Sequence, residues 1–168
     1  MAAKKKHGLP DKQKVHDALA KALEQALAMM AAAAEDTRKG ATHEENRSEG
    51  DKDMRATEQS YVARGQAMRA EQLAEDNARF ATVPVRRFGP EDRIGIGCLV
   101  RVRVDDEPRA FFVCAQGGGT ELLVDGLAIT VLTPGSPAGK SILGKEVGDE
   151  YEVAVAGKTR VWEIEEIG

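Results

Sequence analysis

Ser136-Pro137-Ala138-Gly139-Lys140-Ser141-Ile142-Leu143-Gly144-Lys145-Glu146-Val147-Gly148-Asp149 is the stretch on which the reading of this chain turns. Ser136 offers a hydroxyl oxygen where the first free N–H groups of a helix need an acceptor, and Pro137 has its backbone preset for a first helical turn. Ile142 and Leu143 supply an apolar face to lay on a sheet. Gly144 suits a left-handed helix end, and Gly148-Asp149 opens the strand that follows. Directly after it, Tyr151-Glu152-Val153-Ala154-Val155 alternates with period two. The segment predicts a short capped helix resting on a sheet.

Working outward, the same alternation recurs on both sides. Cys98-Leu99-Val100-Arg101-Val102-Arg103-Val104 alternates, Asp105-Asp106-Glu107-Pro108 turns, and Arg109–Ala115 returns as a hairpin partner. Gln116-Gly117-Gly118-Gly119 is a turn, since no lysine and helix follow as they would in a phosphate-binding loop. Glu121–Val124 and Leu127–Leu132 flank a two-residue Asp125-Gly126 turn, and strands at Tyr151–Ala156 and Thr159–Ile167 flank Gly157-Lys158. Residues 96–168 are therefore expected to form a small antiparallel sheet with one short helix, an α+β arrangement.

The first half has a different period. From about Asp11 to Glu35, Leu19, Leu23, Ala26, Met30 and Ala33 recur at alternating steps of four and three in an alanine-rich run, the spacing of a coiled-coil seam. Val15 and Leu27 widen that stripe. The pattern is expected to break at Lys39-Gly40, with charged and turn-forming residues up to about Asp53. A second helix is expected from there to Phe80, with Met54, Tyr61 and Met68 seven apart and Leu73 and Phe80 further along. Gly65 is expected to permit close helix approach or a slight bend. Residues 1–80 thus read as an antiparallel helical hairpin, and 81–95, with Pro84 and Pro90 and no helical period, as a linker.

Composition bounds the function classes. The chain has 168 residues and a net charge of -4. Residues 1–80 hold 14 basic and 14 acidic side chains, whereas residues 81–168 hold 10 and 14. This is not the basic footprint of a protein that grips nucleic acid by its phosphates, so little binding to free DNA or RNA is expected and a protein partner is favoured. No run approaches the roughly 20 apolar residues of a spanning helix, and Met1-Ala2-Ala3-Lys4-Lys5-Lys6-His7 leads into a polar segment. A cytoplasmic monomer is expected. Cys98 and Cys114 lack metal-ligand spacing and read as buried thiols.

The motif resembles the C-terminal signature of the GreA/GreB transcription elongation factors: Ser136-Pro137, Leu143-Gly144-Lys145, Gly148-Asp149 and the closing strand Val161-Trp162-Glu163-Ile164-Glu165-Glu166-Ile167 occur in that family's order and spacing. Thr57-Glu58-Gln59-Ser60-Tyr61-Val62 resembles the start of the family's second hairpin arm. The resemblance implies an FKBP-like C-terminal domain at 96–168 that docks on RNA polymerase, with Ser136, Pro137, Leu143, Gly144 and Lys145 as the binding residues. It also implies a hairpin whose tip enters the polymerase's secondary channel. There, acidic side chains would help hold a magnesium ion shared with the polymerase active site, so that the polymerase cleaves its own backtracked transcript. The factor would touch RNA only indirectly, would carry no cofactor of its own and would not itself be an enzyme.

On this chain the implied tip carriers are Glu44 and Glu45, with Glu49 and Asp51 as further candidates, near Thr42-His43-Glu44-Glu45-Asn46. His43 reads as an exposed tip residue. The tip departs from the family pattern Gly-Asp-x-x-Glu-Asn, because aligning Glu45-Asn46 puts Thr42 where the family has aspartate. Aligning on Tyr61 instead puts Met54 and Thr57 at the acidic positions. Two other functions stay open: a regulator that occupies the channel without promoting cleavage, and an FKBP-like prolyl isomerase or chaperone, which would need an aromatic pocket built from Phe111, Phe112, Tyr151 and Trp162.

Overall fold

The computed structural model describes residues 8–44 and 52–168. Two helices, α1 (Lys12–Glu44) and α2 (Lys52–Thr82), precede β1 (Leu99–Val104), β2 (Glu107–Val113), β3 (Glu121–Val124), β4 (Leu127–Leu132), α3 (Pro137–Ile142), β5 (Glu150–Val155) and β6 (Lys158–Ile167). The chain divides into two compact units. One holds the described residues up to Ala20 together with Val83–Gly168, and the other is Lys21–Thr82. No helix among the described residues is long and apolar enough to cross a membrane.

The strands form one sheet in the order β3-β4-β2-β1-β6-β5. Its pairings are antiparallel except for β2 with β4, which run parallel in the register Ala110↔Ile129 to Val113↔Leu132. The parallel pair departs from the all-antiparallel expectation, and its cause is topological. β4 pairs on one side with β3, its own hairpin partner, and on the other with β2, so the strand direction repeats across β2–β4. The hairpin turns are set locally: Asp105 and Asp106, Asp125 and Gly126, and Ala156 and Gly157 all have positive φ. Two successive positive-φ residues make the turn whose twist matches that of the flanking strands. The first of these turns is confined to Asp105-Asp106, and Glu107 and Pro108 already belong to β2.

One face of the sheet carries the main core, made by Val100, Val102, Val104, Phe111, Val113, Ile142, Val153, Trp162 and Ile164, with Phe88 and Ile94 joining from the segment expected as a linker. Neighbouring strand residues alternate to the other face, where Leu99 and Phe112 are also buried. The beginning of α1 belongs to this same unit. Lys14 pairs with Asp125 at 2.9 Å, Lys12 donates to the Arg86 carbonyl and lies 4.5 Å from the Phe88 ring centre, and Val15 and Leu19 are fully buried. Helical periodicity alone places these residues in the hairpin.

In the second unit α1 and α2 form the expected hairpin, with two corrections. First, α1 does not break at Lys39-Gly40 but runs on to Glu44. A single glycine costs roughly 1 kcal/mol in a helix interior, too little to stop a helix in so alanine-rich a sequence. Second, the seam is shorter than its spacing suggests. Leu23 is buried and Leu27 half-buried, but Ala26, Met30 and Ala33 are exposed. On α2 the inward stripe runs Phe80, Asn77, Leu73, Ala70, whereas Tyr61 and Met68 are 72% and 62% exposed. Two residues round a helix is about 200°, which carries Met68 to the side opposite Ala70. Gly65 makes no close approach, for a Cβ built there meets nothing within 4 Å.

Candidate functional site

The Ser136–Asp149 segment is knitted together by its own bonds. Ser136 Oγ accepts the Gly139 N–H at 3.0 Å, capping α3, and donates to the Thr133 carbonyl at 2.8 Å. Pro137 occupies the first turn and is exposed. Leu143 is half-buried against the core. Gly144, at φ +77, donates its N–H to the Ile94 carbonyl at 2.8 Å, and the Lys145 carbonyl accepts the Ile94 N–H at 2.9 Å. The Lys145 ammonium lies 4.8 Å from the centre of the Tyr151 ring. Asp149 Oδ2 accepts the Glu146 N–H at 2.9 Å, while the Gly148 N–H and the Asp149 carbonyl both bond to the backbone of Ile164. Every one of these groups has an internal duty. What the segment leaves to solvent is the surface of Pro137, Lys140, Gly144 and Glu146–Gly148, with part of Lys145.

Gly139, which no local sequence signal singles out, is the tightest point of this assembly. A Cβ there would stand 1.9 Å from the Thr133 carbonyl oxygen. The side chain of Thr133, in turn, fills the space beside Gly118, so one glycine of the triple-glycine turn is required for close packing rather than for binding phosphate.

At the hairpin end, Glu44 is the last residue of α1. Its side chain, and Glu45, Glu49 and Asp51 entirely, lie outside the described residues, as does the side chain of His43. Among the described residues no group of three or more His, Cys, Asp or Glu side chains is placed to hold a metal ion.

Several arginines of the sheet unit are paired with carboxylates. Arg101 pairs with Glu166 at 2.7 Å, Arg103 with Glu163 at 3.2 Å and also with Glu165, Arg93 with Glu146 at 2.8 Å, and Arg160 stands 3.8 Å from Asp105. An open cleft between the β1–β2 turn and β5–β6 is lined by Arg103, Asp105, Asp106, Glu150, Val161 and Glu163. It offers acids around an already neutralised arginine and no nucleophile. Phe111 and Trp162 stack at 4.8 Å with rings 8° from parallel, and both are buried. These aromatics are committed to packing rather than arranged as the walls of an open pocket. The two thiols are buried, and burial pushes the Cys98 thiol up to about 11.

No protein-family model matches the chain, and no curated protein matches it. Among solved structures it is similar to the GreA factor homolog 1 protein of Thermus thermophilus, at 20% identity over 89% of this chain and 94% of that one, with a TM-score of 0.38. The same factor from Thermus aquaticus matches at 19% identity over 90% and 94%, with a TM-score of 0.37. A prokaryotic transcription elongation factor GreA/GreB from Nitrosomonas europaea matches at 22% identity over 58% and 78%, also with a TM-score of 0.37.

Proposed function

We propose that this protein is a Gre-type transcription elongation factor: it docks on RNA polymerase through the sheet unit and presents the end of the hairpin, where α1 leads on to α2, to the secondary channel. The observation that carries this reading is the build of the chain. A hairpin of 33- and 31-residue helices, about 50 Å and 46 Å long, precedes a sheet unit in which the Ser136–Asp149 motif forms the capped helix and strand entry its spacing predicted. The matched surface charges support a protein rather than free nucleic acid as partner, since arginines already paired with carboxylates are poor phosphate ligands. The packed aromatics give no support to a prolyl isomerase.

In this reading the protein is no enzyme. Glu44 and Glu45 help retain a magnesium ion in the polymerase active site, with Glu49 and Asp51 nearby in sequence. Hard oxygen donors suit magnesium, which when bound stabilises charge on the attacking and leaving oxygens of phosphodiester cleavage.

A backtracked-complex cleavage assay with the matching polymerase tests it. Wild-type protein is expected to accelerate cleavage, and the Glu44→Ala, Glu45→Ala double variant to lose most of that acceleration while binding polymerase equally well. Raising magnesium is expected to restore part of the rate by mass action. A wild-type protein that leaves cleavage unchanged yet displaces a cleavage factor would overturn the cleavage role. It would establish a channel-occupying regulator instead, in keeping with Thr42 at the place of the family aspartate.

A further inference from the structure

We propose that Asn77 is the register lock of the hairpin: its amide selects one alignment of α1 against α2. Asn77 is 7% exposed and lies on the inward stripe of α2 between Leu73 and Phe80. Its Nδ2 donates to the backbone carbonyl of Leu23 at 3.1 Å, across 54 residues of chain. The amide orientation follows from the partner, because a carbonyl oxygen accepts only from the nitrogen end. Asn77 Oδ1 is buried and has no hydrogen-bond partner among the described residues.

The rest of the seam does little of this work. Beyond Leu23, Leu27, Leu73 and Phe80 the facing positions are small or exposed, Ala26, Met30, Ala70 and Ala74 among them. Along the alanine-rich part of the seam a slide by one heptad trades one small or exposed residue for another, so only Leu23, Leu27, Leu73 and Phe80 resist it by burial. A hydrogen bond to one particular carbonyl has no such degeneracy: a slipped hairpin leaves the buried amide without its acceptor, which is the way a lone buried asparagine specifies register in coiled coils. The orphaned Oδ1 indicates that this residue is not there for stability alone, since an apolar side chain would leave nothing unsatisfied.

The test uses the full-length protein with Cys98 and Cys114 replaced by alanine and spin labels at Lys21 and Arg64, exposed sites staggered along the hairpin. Distances are read by pulsed electron spin resonance. The parent is expected to give one narrow distribution. Asn77→Leu is expected to add a second population displaced by about 10 Å, the axial length of one heptad, with no loss of helix content on thermal melting. Asn77→Ala, which removes the amide without adding a large side chain, is expected to broaden the distribution in the same sense. A single unchanged distance in both variants would overturn the proposal, and so would a variant whose only effect is a lower melting point. Neither result depends on what the hairpin binds.

Discussion

Gly139 has no space for a side chain, and the reason is a backbone atom. A Cβ would sit 1.9 Å from the Thr133 carbonyl oxygen, which also receives the Ser136 hydroxyl and the Ser136 N–H. Relief would require α3 to lift off the sheet. Gly139→Ala is therefore expected to cost about 3 kcal/mol or more, read as a drop in the denaturant midpoint at constant slope; a change under about 0.5 kcal/mol would show that α3 can shift freely. Cys98 makes a second prediction at this scale. Burial raises its thiol from the ordinary 9.0 to about 11, against a smaller opposing pull from Lys12. The folded protein keeps the thiol protonated to higher pH than the unfolded chain does. Its contribution is thus whole below about 9 and declines as pH rises toward about 11, by about 2–3 kcal/mol in all. Denaturation midpoints measured across that range in wild type and Cys98→Ala check it: the variant is expected to lose less stability over the same span.

At the scale of elements, α2 carries a glycine with nothing to accommodate. Gly65 is exposed, and a Cβ there meets no atom within 4 Å. Gly65→Ala is expected to stabilise the hairpin by about 0.5–1 kcal/mol through helix propensity, visible as a higher melting point of the helical circular-dichroism signal. A lower melting point would mean that Gly65 marks a bend or a close contact after all. The hairpin also shows why a heptad count overstates a seam. The spacing of Tyr61 and Met68 is correct for one face of a helix, but α1 lies against the face of Phe80, Asn77 and Leu73. Periodicity identifies faces and does not say which one is covered.

At the scale of the whole molecule, the sheet unit is completed by sequence from the far end of the chain. Residues up to Ala20 cluster with Val83–Gly168, with Lys12 and Lys14 making polar contacts there and Val15 and Leu19 wholly buried. A fragment beginning at Val83 is expected to be less stable than the same unit in the full chain by several kcal/mol, the burial of two or three aliphatic side chains being worth about 1.5–3 kcal/mol each. A peptide covering residues 8–22, added in trans, is expected to raise its melting point. A fragment as stable without the peptide as with it would show the α1 contacts to be incidental.

The short-range features of this protein are determined by its sequence: the capped start of α3 at Ser136-Pro137, the turns at Asp125-Gly126 and Gly157, the period-two strands and the two long helices. Each depends on atoms within a few residues, so its physics is present in the sequence itself. The tertiary structure decided what depends on residues far apart. It paired β2 with β4 in parallel, brought the first turns of α1 into the sheet unit, left Tyr61 and Met68 exposed and made Gly139 indispensable beside Thr133. Those outcomes follow from which surfaces meet. A side chain's type limits what it can pack against, but only the folded chain supplies the neighbour.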